Sequence, residues 1–567
     1  MPPDSQPVPE KNPAPMTPPP RVRFVPPRKY WLVLLALLGF EVCWGTVLRD
    51  FVLVHRDVIF YADVTRNMIE GKGFTTDLRF PYELPFIPVR HGVLSRDFIS
   101  YFALGHPFLL WIPFKLTGIS DYSIVWFSSL LFLLSMIPLF LLTRKFLGEV
   151  PALLACVAYL LDAWIVSIGT QGYTQVPFIF LILWGCYFFF RDDRRPIFSA
   201  VAAAFLFALA SYFREESRIF LLAALLVLVF LRPGKKRFFI AAAMTVLFAA
   251  CAVPVYLHRV KYFPAGSAPY STMNWLNFLK PYDNFIVENM IDFPPLVATI
   301  KAHLFEFVSR SFKFFFLTAW NLIRFHPLIL LSSVYGFIKA RAVDKARELR
   351  IFIAVLTLIL LGLYSLIYPL DRYPTLISVF LTPFAGFGLY SAILALGRAG
   401  RWGKPVLYAS LLLVCLYVAH WAIEPQIRTA RPTANIAKRQ FLLDAMHRIG
   451  TLVPEGSWVF TENPPLITWY ARRPTIGLLR DTADYARLSK YGVNGRIYYL
   501  LGNWYESRMD LFDAAYRDSW NGAPLLGNRL LLRIDSEDPK FHARLFGPAP
   551  GYWPWVPLKT GEAENAL

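Results

Sequence analysis

Long apolar runs limit most strongly what this chain can fold into. A run of 18 or more apolar residues can cross the hydrocarbon core of a bilayer as a helix, and several such runs follow one another here. Apolar residues make up 56% of the 567 residues and charged residues only 17%, against roughly 25% charged in soluble domains. The sequence therefore predicts an all-α multi-pass membrane protein. It excludes a soluble enzyme, a fibrous protein, a disordered chain and a transmembrane β-barrel, whose spans would be short and alternating.

Eleven membrane-spanning helices are predicted from these runs. The first, 30–48, has no small-residue cleavage site after it, so we read it as an uncleaved span and not as a signal peptide. The others centre on 122–143, 149–168, 173–190, 197–212, 217–232, 238–256, 316–338, 351–369, 375–396 and 405–423.

Clustered cations set the expected orientation in the membrane. The net charge is +19, and the Lys and Arg residues lie mainly in short loops between apolar runs, such as Arg144-Lys145 and Lys235-Lys236-Arg237. Short cationic loops stay in the cytoplasm. We therefore expect a cytoplasmic N-terminus, an extracytoplasmic C-terminus and contact with membrane lipids of the cytoplasmic membrane, and no binding of nucleic acid. The five cysteines all fall inside apolar runs and show no disulfide or metal spacing.

The chain divides by composition into a tail and a membrane domain. Residues 1–29 are rich in Pro, Lys and Arg and cannot form a core, so we expect a disordered cytoplasmic tail. Residues 30–424 form the predicted membrane domain, with outer loops at 49–101 and 257–305. The apolar stretch 102–117 is short and contains a Pro, which favours an interfacial or re-entrant helix.

A third region, 425–567, has the composition of a soluble protein. It alternates short strand patterns at 457–460, 497–501 and 529–533 with helical patterns at 437–449 and 507–517. This alternation predicts a small extracytoplasmic α/β domain.

Ionisable residues gather at the outer ends of the predicted spans, where a charge tends to persist only if it has a function. They occur as His55-Arg56-Asp57, which opens an amphipathic helix, near His106, in Arg214-Glu215-Glu216-Ser217-Arg218, and in Asp371-Arg372-Tyr373. An arginine fork matches phosphate oxygens and a carboxylate can act as general base. The pattern suits a reaction in which a base takes a proton while a phosphate leaves.

Each of these residues also has a purely structural interpretation. Asp57 could cap the following helix. Arg214 and Arg218 could be paired with Glu215 or Glu216, and Arg372 could be an interfacial anchor beside Tyr373. For Asp63 and Glu70, a solvated helix face is the favoured interpretation.

The order of these motifs resembles the GT-C type of polyprenyl-phosphate-sugar-dependent glycosyltransferases, over about residues 30 to 425. That class includes the protein O-mannosyltransferases and the aminoarabinose transferases that modify lipid A. The matching segments are Asp57 to Gly73, with its Asp four residues before a Tyr, Gly105-His106-Pro107, the turn at Arg214-Glu215-Glu216, and Asp371-Arg372-Tyr373-Pro374. The chain departs from the family pattern at Val58, at His106 in place of a Lys, and at 171–175, which lacks the family's Glu.

The resemblance implies an inverting transferase that moves a sugar from a polyprenyl-phosphate donor to an extracytoplasmic lipid, protein or glycan. The family's catalytic Asp carries over to Asp57 and its phosphate-contacting Arg to Arg372, assisted by Arg214 or Arg218. Substrate contacts are expected from the remaining candidates, which are Tyr61, Asp63, His106 and Tyr373. Metal use stays open, since no ligand cluster is visible in the sequence.

Two rival interpretations remain open. A non-enzymatic lipid-sugar flippase or exporter would place its charges in mid-span, and a membrane sensor would need only the C-terminal domain. An enzyme of the same architecture that polymerises or ligates lipid-linked glycans is the third candidate.

Overall fold

The computed structural model describes most of the chain between residues 56 and 548. The described ranges are 56–91, 93–97, 103–191, 196–262, 275–276, 279, 286–367, 370, 372–398, 443–494, 496–502, 514–520, 523–526, 528–534 and 543–548. The predicted tail and the predicted spans at 30–48 and 405–423 lie outside these residues.

The membrane part of the described chain is helical, and its helices follow the apolar runs. In chain order they are α1 (Arg56–Ile69), α2 (Gly105–Thr117), α3 (Asp121–Leu134), α4 (Met136–Leu147), α5 (Glu149–Leu161), α6 (Ala163–Thr170), α7 (Gln175–Phe190), α8 (Pro196–Ala210), α9 (Ser217–Leu231), α10 (Lys236–Tyr262), α11 (Leu296–Ala302), α12 (Leu304–Phe325), α13 (Pro327–Lys339), α14 (Arg347–Tyr364) and α15 (Tyr373–Arg398). Glycines with positive φ follow α2 and α4, at Gly118 and Gly148, because only Gly adopts this backbone without strain.

Fewer helices than expected are long enough to cross a membrane. Among the described residues, Asp121–Leu147, Lys236–His258 and Tyr373–Leu396 meet the length and hydropathy needed, and the number rises to five if each of two bent helix pairs counts as one span. The runs predicted at 173–190, 197–212 and 217–232 form helices of 16, 15 and 15 residues, short of the roughly 20 that a span needs. The structure thus supports an apolar helical membrane protein and leaves the count of eleven unconfirmed.

Two predicted spans are wrong as straight helices. The run predicted at 149–168 is broken between α5 and α6, which are bent by 73°, and the run at 316–338 is broken between α12 and α13, which are bent by 99°. Asp162 accepts a hydrogen bond from the Ile165 N–H (2.9 Å) and so caps α6. Pro327 begins α13 directly after His326, where a residue without an N–H is tolerated.

Helices α13 and α15 approach each other at backbone distance. A Cβ at Gly336 would overlap the carbonyl oxygen of Phe384, and a Cβ at Gly388 would overlap that of Ser332. These two glycines therefore let the helices pack closely, and α15 is held against the middle of the bundle.

The C-terminal region forms a sheet with mixed strand directions. Its strands, with those of the outer loop, are β1 (Leu78–Arg79), β2 (Val89–Arg90), β3 (Val93–Leu94), β4 (Trp458–Thr461), β5 (Thr475–Gly477), β6 (Ile497–Gly502), β7 (Arg529–Ile534) and β8 (Ala543–Gly547). The order in the six-stranded sheet is β1-β5-β4-β6-β8-β7, and β2 and β3 form a separate hairpin. Neighbours are parallel from β1 to β6, whereas β8 runs antiparallel to β6 and β7.

The predicted strands at 457–460, 497–501 and 529–533 correspond to β4, β6 and β7, while β5 and β8 were not predicted. The helix expected at 437–449 corresponds to described helical residues 443–452. Most of the helix expected at 507–517 lies outside the described residues, and Ala514–Trp520 is helical.

The outer loop and the C-terminal region share this sheet, since β1 pairs with β5 at Leu78 and Thr475. The turn at 464–471 also packs on the membrane part. Trp469 Nε1 donates to Asp121 Oδ1 (2.7 Å) and the Tyr470 hydroxyl donates to Asp121 Oδ2 (2.6 Å). The C-terminal region is thus joined both to α1, through the outer loop, and to the start of α3.

Candidate active site

A cavity of about 400 Å³ opens where the ends of several helices meet. It lies between the start of α1, the segment before α2, the start of α7, the turn between α8 and α9, and the start of α15. Six of the eight residues predicted to form the site line it, namely Asp57, Tyr61, Arg214, Arg218, Arg372 and Tyr373. Asp63 and His106 do not line it.

Asp57 and Arg372 face each other in this cavity as an ion pair. Asp57 Oδ2 lies 2.6 Å from Arg372 Nη2, and the two side chains are 34% and 20% exposed. Asp57 is in the first turn of α1 and Arg372 immediately precedes α15, so residues far apart in sequence meet here. The Arg372 guanidinium also lies over the Tyr173 ring, 5.2 Å from its centroid. Its buried Nε makes no hydrogen bond within the described structure, which leaves one N–H donor for a ligand.

Arg214 forms an ion pair with Glu216, as in the structural interpretation of this residue given above. Its Nη2 lies 2.5 Å from Glu216 Oε1, and its Nε donates to the same oxygen at 3.1 Å. The Tyr364 hydroxyl donates to this oxygen as well (3.4 Å), and the guanidinium packs over the Tyr373 ring at 5.9 Å. Glu216 therefore fixes the position of Arg214 at the cavity wall.

Arg218 differs from the other two arginines because it is exposed. No carboxylate of the described residues forms an ion pair with it. Since an unpaired guanidinium loses less when it binds an anion, Arg218 is the cation most readily available to a phosphate.

Asp63 is buried, and the expectation of a solvated face is wrong for it. The residue is fully buried, forms an ion pair with Arg66, and accepts hydrogen bonds from Thr76 Oγ1 (2.7 Å) and the Asp77 N–H (2.8 Å). Glu70, by contrast, is partly exposed and lies 2.7 Å from Lys72 Nζ. The geometry thus gives Asp63 a structural role in the outer loop, away from the cavity.

His106 lies behind the cavity wall. Its Nε2 is 2.9 Å from the Gly172 carbonyl oxygen, so this nitrogen carries the proton and donates. The imidazole packs edge-on against the Tyr61 ring, with 5.0 Å between centroids. His106 therefore supports Tyr61.

Tyr61 presents a phenol to the cavity. Its oxygen accepts a hydrogen bond from the Ala103 N–H (3.3 Å). Burial raises the pKa of Tyr61 above its ordinary value, and the nearby Asp57 charge raises it further. The phenol therefore stays protonated and can donate a hydrogen bond to a substrate oxygen.

Two aromatic residues at the site were missed by the sequence analysis. Tyr173 lines the cavity and lies under the Arg372 guanidinium, and Tyr364 lies behind the cavity wall, where it stacks on Tyr373 at 4.8 Å with near-parallel rings. Both lie near helix ends, where aromatic residues are common in membrane proteins, so nothing in the sequence marked them. No group of three or more His, Cys, Asp and Glu that could hold a metal ion occurs within the described ranges.

Part of the chain matches a known protein family. Residues 103–258, less than half of the chain, match the family described as dolichyl-phosphate-mannose-protein mannosyltransferase. The matched segment runs from just before α2 into α10 and includes Arg214 and Arg218. None of the curated proteins matches the chain.

Solved structures extend the similarity to nearly the whole chain. The crystal structure of ArnT from Cupriavidus metallidurans bound to undecaprenyl phosphate is 11% identical, with 93% of this chain and 99% of that chain covered and a TM-score of 0.56. The archaeal oligosaccharyltransferase AglB from Archaeoglobus fulgidus, in complex with an inhibitory peptide and a dolichol-phosphate, is 13% identical, with 84% and 70% covered and a TM-score of 0.50. At such identities the comparison shows a shared fold. The chain therefore has the fold of the GT-C type membrane glycosyltransferases, and the predicted resemblance to that class is confirmed at the level of the fold.

Proposed function

We propose that the protein is an inverting glycosyltransferase of the cytoplasmic membrane. It would transfer a sugar from a polyprenyl-phosphate donor to an acceptor on the outer face, which is also where we place the C-terminal domain. The ion pair between Asp57 and Arg372 in a cavity that also holds Arg214 and Arg218 carries this proposal. The ion pair places a candidate general base, Asp57, next to a candidate phosphate-binding cation, Arg372.

Binding of the donor would separate this ion pair, with Arg372 contacting the donor phosphate and Asp57 the acceptor. The phosphate attracts the Arg372 guanidinium, with Arg218 as a second cation, because Arg–phosphate hydrogen bonds are charge-assisted at both ends. The Asp57 carboxylate is then able to accept a proton from the acceptor. Until then the ion pair neutralises both charges, which limits the cost of holding them in a partly buried place.

The chemical step is a single displacement at the anomeric carbon. Asp57 removes the proton of the acceptor hydroxyl or amine, whose oxygen or nitrogen forms the new bond to that carbon. The bond from the carbon to the phosphate oxygen breaks, and the electron pair leaves with the polyprenyl phosphate, stabilised by Arg372. Attack opposite the leaving group inverts the configuration. Tyr61 and Tyr373 would contact the sugar.

The lining of the cavity suits a donor with a polar head and an apolar tail. Apolar side chains at Ile219, Val255 and Leu363 lie beside the charged ones. The structural neighbours bound to undecaprenyl phosphate and dolichol-phosphate support the same donor class. The acceptor is a lipid, a protein or a glycan, and product analysis distinguishes these.

Asp57→Asn tests the proposal in purified protein reconstituted in lipid with a panel of labelled polyprenyl-phosphate sugars. General base catalysis contributes about 10²–10⁴-fold, so the variant should release polyprenyl phosphate at least about a hundred times more slowly while it remains folded. Glu70→Gln is the matched control, since this carboxylate lies just beyond the other end of α1 and outside the cavity.

Three outcomes are distinguishable. Turnover that survives Asp57→Asn makes Asp57 a helix cap. A wild-type protein that moves the labelled lipid across the bilayer without releasing the sugar is a flippase. A protein that consumes no donor, and whose signalling survives only with residues 430–567 present, is a sensor.

A further inference from the structure

The breaks in the two bent helix pairs meet at a buried histidine. Asp162 lies between α5 and α6, and His326 lies between α12 and α13. Asp162 Oδ2 is 2.8 Å from His326 Nδ1, and the other imidazole nitrogen, Nε2, is 3.3 Å from Thr375 Oγ1. His326 is fully buried and Thr375 nearly so. A buried polar chain of three residues therefore connects five helices, namely α5, α6, α12, α13 and α15.

Hydrogen-bond chemistry sets the direction of this chain. A carboxylate can only accept, so His326 Nδ1 carries a proton and donates it to Asp162. In the neutral imidazole, Nε2 then accepts from the Thr375 hydroxyl. The second carboxylate oxygen accepts from the Ile165 N–H. The groups in the chain are mutually satisfied, which is the condition for burying them.

The hydrogen-bonded chain ends at Thr375, and this position gives it a function beyond stabilising the two helix breaks. Capping α6 uses only one oxygen of Asp162, and the start of α13 is already secured by Pro327. Thr375, however, lies in the first turn of α15, one helical turn after Arg372. That same turn presents Arg372 and Tyr373 to the cavity. The polar chain thus ties the part of α15 nearest the cavity to two other helix pairs.

We propose that His326 is a positioning residue that fixes the start of α15 through Thr375, so that Arg372 meets the donor phosphate in the correct place. The inference rests on the proposed function, because it assigns Arg372 to the donor. Its structural part, the restraint of the first turn of α15, is independent of any activity.

Thr375→Val removes the hydroxyl while keeping the shape of the side chain, and Thr375→Ser is the matched control that keeps the hydroxyl. Two readouts are taken on reconstituted protein. The first is hydrogen–deuterium exchange of the backbone amides at 372–378, which needs no substrate. The second is the KM for donor and for acceptor, with kcat.

For Thr375→Val we expect exchange at 372–378 to be about fivefold faster, as for the loss of one buried hydrogen bond. The donor KM should rise by a similar factor and kcat should fall, because Arg372 also stabilises the leaving phosphate, while the acceptor KM changes by less than about twofold. Thr375→Ser should restore both readouts. His326→Gln, which keeps a polar group near Thr375 and loses the bond to Asp162, should give the same pattern. A purely structural role would instead lower the melting temperature without separating donor KM from acceptor KM.

The results separate the two proposals. Unchanged exchange at 372–378 in Thr375→Val overturns the restraint, whether or not the protein turns over a donor. Faster exchange with an unchanged donor KM overturns the link to Arg372 while the transferase stands. If the wild-type protein consumes no donor, the proposed function fails. The link to Arg372 fails with it, while the exchange data still decide whether the restraint exists.

Discussion

Replacing Asp63 should destabilise the outer loop although the residue touches no substrate. Asp63→Asn keeps the shape of the side chain and removes its charge. Arg66 is then left with a buried guanidinium, 4% exposed, whose remaining described contacts are the carbonyl oxygens of Thr468 and Trp469 at 3.3 Å and the Trp469 ring at 5.3 Å from its centroid. Removing one partner of a buried ion pair typically costs about 3–5 kcal/mol. The two carbonyls offset part of this, so we expect about 3 kcal/mol.

The assay is thermal unfolding of the purified protein followed by tryptophan fluorescence. For a unit of about 150–250 residues, each kcal/mol lowers the midpoint by about 2–4 °C, so the expected drop is roughly 6–12 °C. The control is Glu70→Gln, which breaks an exposed pair with Lys72 and should cost less than about 1 kcal/mol. Below its midpoint, Asp63→Asn should turn over the donor at the wild-type rate.

Two results would refute this reasoning. A midpoint within about 2 °C of the wild type would mean that the buried pair adds little to stability, contrary to the cost of an unpaired buried charge. A normal midpoint combined with lost turnover would mean that Asp63 contacts the substrate, as the sequence had suggested.

Three further predictions concern other parts of the molecule. Burial raises the pKa of Glu83 to about 7 from 4.5, so the folded loop binds this proton more tightly than the unfolded chain. Its stability should therefore fall as pH rises from about 4.5 to 7, by up to about 1.4 kcal/mol per pH unit, and melting of Glu83→Gln should show a flatter slope. Gly336→Ala should lower the free energy of unfolding by about 1–3 kcal/mol through overpacking against α15, while Gly362→Ala, whose Cβ meets nothing within 4 Å, should not, and thermal unfolding checks both. Trp469→Ala removes the ring that stacks on Phe114 at 6.1 Å and should cost about 3–5 kcal/mol, and it is checked by faster hydrogen exchange in α1.

The helices could be located from the sequence because the apolar composition of each run is enough to predict that it is buried in a bilayer. Their breaks could not. The run at 316–338 is apolar on average although it contains Arg324, His326 and Pro327. The bend at His326 depends on the Asp162 carboxylate from another helix pair, and Pro327 alone does not mark a break, because a helix tolerates Pro in its first turn. Asp63 was misjudged for the same reason, since Thr76, Asp77 and Thr468 lie outside its own helix.

It was easier to predict from the sequence which residues share the cavity than which of them form ion pairs with each other. The predicted topology places the starts of α1 and α15 on the same side of the membrane, so Asp57 and Arg372 could be expected near each other. Which arginine is neutralised depends on side-chain geometry. Glu216 takes Arg214 and leaves Arg218 exposed, and both arrangements fit the segment Arg214-Glu215-Glu216-Ser217-Arg218 equally well.

The pairing of β1 with β5 has a consequence for biosynthesis. The ribosome makes Leu78 early and Thr475 late, and nearly the whole helical bundle is synthesised between them. The sheet edge that supports the outer loop, and with it α1, therefore cannot close until Thr475–Gly477 has been made. A chain that ends before β5 would carry Asp57 on a helix that lacks this support. The outer loop thus gains its neighbour in the sheet only after the helices between β1 and β5 have been synthesised.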